Sequence, residues 1–255
     1  MHLDLNADVG ESFGAWTLGD DEHLFPLVTS VNIACGVHAG DPTVIRRTIR
    51  AAGGHGLALG AHPSYPDRQG FGRRRMQLPP RELEDLVIYQ VAALAGMARA
   101  EGFALTHVKP HGALYNAAAG DAAIADAIAR AVRAVDPQLA LVGLAGSELL
   151  AAARRADLHV VAEAFADRGY QRDGTLVPRG SAGSVIHDPE AAAARAIRLV
   201  RDNLVDAADG TTVRVEAGTL CIHGDTPDAV TIAAAIRRAL ESAGVTIAAP
   251  YRHVQ

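Results

Sequence analysis

The sequence predicts an α/β fold in which parallel strands and helices alternate in one barrel. Apolar runs of strand length alternate with segments of helical period along the whole 255 residues. Most of these runs are apolar on both faces, which is typical of parallel strands covered by helices. Five runs are followed at once by a polar, glycine-rich turn, the arrangement by which such folds bring side chains to one rim. No Pro/Ser-rich linker or charge block interrupts the alternation, so we expect residues 1–255 to form a single domain.

Eight short segments rich in Leu, Val, Ile or Ala are the predicted strands. They are 2–6, 28–34, 57–61, 104–109, 139–144, 158–164, 213–215 and 218–223. Four of the helices between them have start signals, in which a proline follows an N-capping residue or a second proline. These starts are Asp41 with Pro42, Pro79 with Pro80, Asp188 with Pro189, and Thr226 with Pro227.

Two further helices are predicted near 121–136 and 147–156. Two long segments, 63–79 and 163–187, show neither the helical nor the strand period. Long loops of this kind inside compact domains often act as lids or binding loops. We therefore expect the segment 163–187, which includes Arg168 and Arg179, to be mobile and to close over a ligand.

Composition excludes several classes of protein. The formal net charge is −5 and no long basic stretch occurs, which argues against a nucleic-acid or anionic-membrane partner. No segment has eighteen uninterrupted apolar residues or the pattern of a secretion signal, so we expect a cytoplasmic protein. The two cysteines, Cys35 and Cys221, lie in apolar surroundings and are expected to be reduced and buried.

Seven strings in a fixed order resemble the LamB/YcsF family. They are DLNADVGESFG, NIACGVHAGDP, GAHPSYPDRQGFGRR, VKPHGALYN, EAFADRGY, DGTLVPR and CIHGDTP. The resemblance implies a distorted seven-stranded (β/α) barrel of the glycoside hydrolase and deacetylase type. Ala7 stands where the family pattern has cysteine, and Val37 where phenylalanine is common; both changes are conservative.

The same resemblance implies an activity. Members of the family are the A component of bacterial ATP-dependent 5-oxoprolinase, which converts 5-oxoproline, ATP and water to glutamate, ADP and phosphate together with the B and C subunits. The chain has no P-loop and no protein-kinase signature. ATP is therefore expected as a co-substrate that the partner subunits handle, while this chain binds the small anionic ring.

Lys109 and His111 end the fourth predicted strand in the string KPHG. A strand period aims both side chains to the same side. Lys109 is the only lysine among 24 Lys and Arg residues, and lysine and arginine are not interchangeable at tight sites. We expect Lys109 to bind the substrate carboxylate, a developing oxyanion or a phosphate, with His111 as acid or base. The alternative is a surface lysine beside a core histidine.

Asn6, Asp8 and Glu11 follow the first strand. We favour Asp8 as the general base or metal ligand, and assign Asn6 and Glu11 to substrate binding. The alternative is that the Asp8 side chain only fixes the loop.

His38 and His62 follow the second and third strands and are further candidates for catalysis. With Asp8 they can also form an Asp-His-His metal triad, as in deacetylases of similar fold. Whether a metal is bound stays open at this stage. A stand-alone metal-dependent deacetylase of an acylated sugar or amino acid is therefore the alternative function, and a non-catalytic subunit that presents 5-oxoproline is a third.

The remaining candidates for substrate binding are two arginines and one histidine. Arg168 and Arg179 can clamp a carboxylate or phosphate, the alternative being solvated loop arginines. His223 lies in the last polar turn, and the alternative for it is a core histidine. Asp41 is explained by N-capping alone. A thiol hydrolase is rejected, because a thiol within an apolar strand stays protonated.

Overall fold

Parallel strands close into a barrel in the computed structural model, which describes residues 1–224 and 228–251 except for the side chain of His223. The strands of the described part are β1 (His2–Val9), β2 (Ser30–Ala34), β3 (Ala58–His62), β4 (Leu105–Val108), β5 (Ala140–Leu144), β6 (Val160–Phe165), β7 (Leu204–Asp206), β8 (Thr212–Arg214), β9 (Thr219–His223) and β10 (Thr246–Ile247). Seven of them pair in parallel in the order β1-β2-β3-β4-β5-β6-β9, and β9 pairs again with β1. The predicted seven-stranded α/β barrel is confirmed.

Helices cover the outside of this barrel. Those of the described part are α1 (Asp21–Leu24), α2 (Pro42–Gly54), α3 (Pro80–Ala100), α4 (Gly112–Gly120), α5 (Ala122–Val135), α6 (Glu148–Arg155), α7 (Pro189–Asp202) and α8 (Ala229–Ser242). None of these helices has the length and apolar character needed to cross a bilayer.

The predicted helix starts agree with the structure where it describes them. The Asp41 carboxylate accepts hydrogen bonds from the backbone N–H groups of Thr43 (2.8 Å) and Val44 (3.0 Å), and Asp188 caps α7 in the same way. The predicted start at Thr226 and Pro227 lies outside the described residues, which resume just before α8.

One predicted strand does not belong to the barrel. The segment predicted at 213–215 forms β8, which pairs antiparallel with β7 in a separate two-stranded sheet. The sequence analysis missed β7, β10, α4 and the four-residue helix α1. Two- and three-residue strands are too short to show a period, and α4 follows Lys109 and His111 so closely that the polar turn hides its start.

Strand β1 has an apolar outer face and a polar inner face. Along β1, Leu3, Leu5, Ala7 and Val9 belong to the hydrophobic core beneath the helices. The alternate residues Asp4, Asn6 and Asp8 bond instead to residues of neighbouring strands. A strand alternates its side chains between two faces, so a strand that is buried on both sides can supply an apolar face to the helices and a polar face to the barrel.

Candidate functional site

A cavity of about 650 Å³ opens at the carboxyl ends of the barrel strands. Five predicted site residues line it: Asp8, Glu11, His62, Lys109 and His111. The predicted arginines Arg168 and Arg179 line it as well, together with Arg73 and Arg75, which the sequence analysis did not select. The parallel strands all end at this rim, which explains why side chains from β1, β3 and β4 meet there.

Three other predicted site residues, Asn6, His38 and His223, are not among the described residues that line the cavity. Asn6 lies below the cavity and His38 lies behind His111, and both are 1% exposed. The backbone of His223 pairs with Asp8, but the His223 side chain lies outside the described part of the structure.

The ammonium group of Lys109 is surrounded by acceptors inside the barrel. Its Nζ lies 2.8 Å from Asp8 Oδ1 and 3.0 Å from Glu163 Oε1. It also donates to Asn6 Oδ1 (3.1 Å) and to Cys221 Sγ (3.0 Å). These carboxylates raise the pKa of Lys109 well above its usual range against the opposing effect of burial, so the ammonium stays charged. The predicted placement of Lys109 beside Asp8 and the imidazoles is present, but its donors point at protein groups.

A network of amides supports this ion pair from below. Asn6 Nδ2 donates to Glu163 Oε1 (2.9 Å) and Thr219 Oγ1 (2.8 Å). Asn32 Nδ2 donates to Asn6 Oδ1 (2.8 Å) and Asp8 Oδ1 (2.9 Å). Asn6 therefore orients the buried charges, and substrate contact, its predicted role, is not available to it at this depth.

Three histidines pack against one another at the inner end of the cavity. The rings of His38 and His111 stack with centroids 4.0 Å apart, and His62 meets His111 edge to face at 4.9 Å. Desolvation by burial lowers the pKa of His38 and His111 well below the usual range, so both are neutral imidazoles at pH 7. Neither ring nitrogen of His38 has a hydrogen-bond partner among the described residues.

The carboxylates of β1 and its following turn face these imidazoles. Asp8 Oδ2 lies 3.3 Å from His62 Nε2. Glu11 Oε1 lies 3.6 Å from His111 Nδ1 and 3.7 Å from His38 Nε2. Glu11, which was expected to bind substrate, thus lies against two candidate catalytic histidines.

Two sets of residues within the described part bring possible metal ligands within 4.8 Å of one another. They are Asp8, His62 and His111, and Glu11, His38 and His111. The predicted triad of Asp8, His38 and His62 is not one of them. The structure groups His111 with Asp8 and His62 instead, because the turn after β4 brings His111 between the ends of β1 and β3.

The segment 163–187 is more firmly held than we predicted. Arg168 donates from its guanidinium to the carbonyl oxygens of Ser184 (2.9 Å) and Val177 (2.8 Å) and is only 4% exposed. Burial lowers the pKa of Arg168 to about 10. Arg168 thus lines the cavity with its guanidinium held by backbone carbonyl oxygens, whereas we expected it on a mobile segment. Arg179 is half-buried at the cavity edge.

Burial makes both thiols unreactive, as predicted. Desolvation raises the pKa of Cys35 to about 12 and that of Cys221 well above its usual range.

Sequence reasoning missed several residues that shape the site. Glu163 lies on β6 and shares Lys109 with Asp8. It is the first residue of the string EAFADRGY, but the sequence analysis did not select it. Asn32 is the first residue of the string NIACGVHAGDP, from which only His38 was selected as a site residue. A charged or amide residue within an otherwise apolar strand was the available signal.

Comparisons with known proteins agree with the resemblance found in the sequence. The model of the LamB/YcsF family matches residues 3–255. A Methylococcus capsulatus protein named as the A subunit of 5-oxoprolinase is 57% identical over 97% of this chain and 95% of its own length. A Bordetella pertussis protein of the same name is 57% identical over 97% of this chain and 98% of its own length.

Solved structures agree with these relatives. The lactam utilization protein of Thermus thermophilus superposes with a TM-score of 0.92, at 53% identity, over 98% of this chain and all of that one. A cellobiose-phosphate cleavage protein of Enterococcus faecalis, described as putative, has a TM-score of 0.55 at 14% identity and shares the fold alone. The barrel, the matching family model and relatives that are more than half identical along nearly their whole length agree, and the chain belongs to the LamB/YcsF family.

Proposed function

We propose that this chain is the A component of an ATP-dependent 5-oxoprolinase and holds the site at which the lactam ring is opened. The observation that carries the proposal is the agreement between near full-length relatives of that name and a buried cluster of carboxylates and imidazoles facing one cavity. The cavity volume of about 650 Å³ suits a small ring.

The arginines at the cavity wall supply the charge that a ring carboxylate requires. Arg73, Arg75, Arg168 and Arg179 all line the cavity. Arg168 is fixed by the backbone, whereas Arg73 and Arg75 lie on the exposed side of the opening. We assign the carboxylate to this group of arginines, because guanidinium groups bind carboxylates through paired hydrogen bonds. This assignment replaces the expectation that Lys109 binds it.

The reacting end of the lactam then faces the inner cluster. Asp8, His62 and His111 lie together on the wall of the cavity, and we place the attacking water on the cavity side of this group. Glu11 and His38 lie beside them and are suited to accept the proton of that water and return it to the leaving ring nitrogen. Lys109, which contacts Asp8 and Glu163, acts as a positioning residue that holds the Asp8 carboxylate in place.

Phosphoryl transfer from ATP is assigned to the B and C partner subunits, since the sequence has no P-loop or kinase signature. A cytoplasmic location fits this assignment, because ATP is the co-substrate and both cysteines are buried free thiols. The alternative of a stand-alone deacetylase is not favoured by relatives named for 5-oxoprolinase.

The test is ATP-dependent glutamate formation from 5-oxoproline by this chain with both partner subunits. Asp8→Asn should lower kcat by at least about 100-fold, because it removes a charged group from the reacting cluster. His159→Ala, an exposed histidine at the other end of the barrel, is the matched control and should keep full activity. Full turnover without this chain would refute the proposal, and full turnover with Asp8→Asn would favour the non-catalytic presenting role.

A further inference from the structure

The hydrogen bonds of His62 and His111 determine which nitrogen of each ring carries a proton. His62 Nδ1 lies 2.7 Å from the carbonyl oxygen of Lys109, and His111 Nε2 lies 2.8 Å from that of Phe71. A carbonyl oxygen only accepts, so the nitrogen facing it must donate. When each ring carries a single proton, His62 Nε2 and His111 Nδ1 are therefore the bare nitrogens.

These two bare nitrogens face each other. They are 3.0 Å apart, and Asp8 Oδ2 lies 3.3 Å from His62 Nε2. All three atoms are electron-pair donors, and their residues are at most 7% exposed. Lone pairs pointed at one another in a buried place repel unless a positive species lies between them.

A single proton bridges two atoms, whereas three donor atoms converge here. Ligand atoms 2.0–2.1 Å from a tetrahedral zinc ion lie about 3.3–3.4 Å from one another. The two measured separations, 3.0 and 3.3 Å, are close to that value. Two imidazoles and one carboxylate also form a common donor set for catalytic zinc, in which a fourth position stays open.

The surroundings match those of metal ligands. A histidine ligand usually donates its other ring N–H to a backbone carbonyl, which fixes the tautomer, and both rings do so here. The ligating carboxylate is usually hydrogen-bonded in turn, and Asp8 Oδ1 is held by Lys109 and Asn32 while Oδ2 faces His62.

We propose that Asp8 Oδ2, His62 Nε2 and His111 Nδ1 bind one divalent transition-metal ion of the zinc type, with the fourth position toward the cavity. The site rests on the geometry of these three side chains and does not depend on the proposed function. His38, whose ring nitrogens lack hydrogen-bond partners among the described residues, stacks on His111 outside this set.

The experiment measures metal binding by the purified chain without its partners. Chelator-stripped protein is dialysed against Zn²⁺ and analysed for bound metal, and Co²⁺ is added separately to record the visible bands of a low-symmetry site. We expect one ion per chain. His62→Ala and, independently, Asp8→Asn should each lower the affinity by about 100-fold or more, with the fold checked by circular dichroism.

Two further variants make the result decisive. His159→Ala should bind as the wild type does. His38→Ala should stay within about tenfold of the wild-type affinity, because His38 stacks on a ligand and does not itself bind the ion. Loss of binding in His38→Ala with retention in His62→Ala would place the ion in the set of Glu11, His38 and His111 and overturn the proposal. Binding of no ion by the wild type would overturn it too and would leave a shared proton between the rings.

Discussion

Lys109 is the residue on which the buried charges depend. Its ammonium contacts two carboxylates, Asp8 and Glu163, inside a barrel where all three groups are buried. Removing one partner from a buried ion pair leaves an uncompensated charge, which costs far more than losing an exposed pair. The only lysine of the chain thus has a structural task as well as a place in the site.

We predict that Lys109→Met lowers the free energy of unfolding by about 3–5 kcal/mol, because two buried carboxylates then face each other without a cation. The double variant Lys109→Met with Glu163→Gln should recover part of this loss, since one of the charges is removed. Urea denaturation monitored by circular dichroism measures both values.

The control is the exposed pair of Arg130 and Glu84, whose atoms lie 2.8 Å apart. Arg130→Met should change the free energy of unfolding by no more than about 1 kcal/mol. Equal losses in the Lys109 and Arg130 variants would contradict the buried network.

Asp21 is a further residue whose charged form is disfavoured, because its carboxylate is partly buried. Its Oδ2 accepts a hydrogen bond from the backbone N–H of Gly10 (2.8 Å), but burial raises its pKa from 3.8 to about 6. The folded protein therefore binds the Asp21 proton more tightly than the unfolded chain does.

This difference predicts a pH dependence of stability. The stability that Asp21 contributes to the folded protein is fully present below about pH 4 and is lost as the pH rises to about 6. The free energy of unfolding should fall by about 2–3 kcal/mol over this range. Asp21→Asn should remove it, so the difference between wild type and variant in urea denaturation should change from pH 4 to pH 6 and level off above. A constant difference across this range would contradict the raised pKa.

At the scale of elements, strand β3 shows how a glycine makes room inside the barrel. A Cβ placed on Gly60 would lie 2.1 Å from Nε2 of His107, which is buried on the adjacent strand β4. The same Nε2 pairs with Asn32 Oδ1 at 2.9 Å. Glycine at position 60 therefore leaves room on β3 for the His107 ring of β4. In this position the ring forms a hydrogen bond with the side-chain amide of Asn32.

We predict that Gly60→Ala lowers the free energy of unfolding by about 1–3 kcal/mol or more, because His107 must leave its position. Gly54→Ala is the matched control, since a Cβ placed on Gly54, at the end of α2, would meet no atom within 4 Å. It should stay within about 1 kcal/mol of the wild type. Equal effects of the two substitutions would show that His107 does not occupy the space against Gly60.

At the scale of the whole molecule, barrel closure protects both thiols. Cys221 lies on β9, the strand that joins β6 to β1, and is fully buried, while Cys35 follows β2 and is 9% exposed. A thiol reacts only as a thiolate and only when a reagent reaches it. Reaction therefore requires the barrel to open.

We predict that Ellman's reagent modifies neither thiol of the native protein on the timescale in which it modifies both thiols of the urea-unfolded chain. The absorbance of the released thiolate gives the count. Rapid reaction of one thiol under native conditions would show that the barrel opens locally, and Cys221→Ser would show whether the opening is at β9.

Most of the fold follows from the sequence alone. Seven of the eight predicted strands are barrel strands, because runs that are buried on both sides differ sharply from their surroundings. Six helices were also expected, since capping residues and prolines act locally. The segment 213–215 is a strand, as predicted, but it lies outside the barrel. The missed elements β7, β10 and α1 have two to four residues, so few positions contribute to a period, and the start of α4 is hidden by the polar turn before it.

For the candidate site too, some features follow from the sequence and others only from the tertiary structure. The sequence determined that Asp8, His62, Lys109 and His111 lie at or just after the carboxyl ends of strands that share a rim, because residue type and position along a strand are local properties. Only the tertiary structure decided their partners: Glu163 shares Lys109, and His111 joins Asp8 and His62 in place of His38. Which side chains lie within hydrogen-bond distance across a barrel depends on strand register and loop path, and these arise from packing of the whole chain.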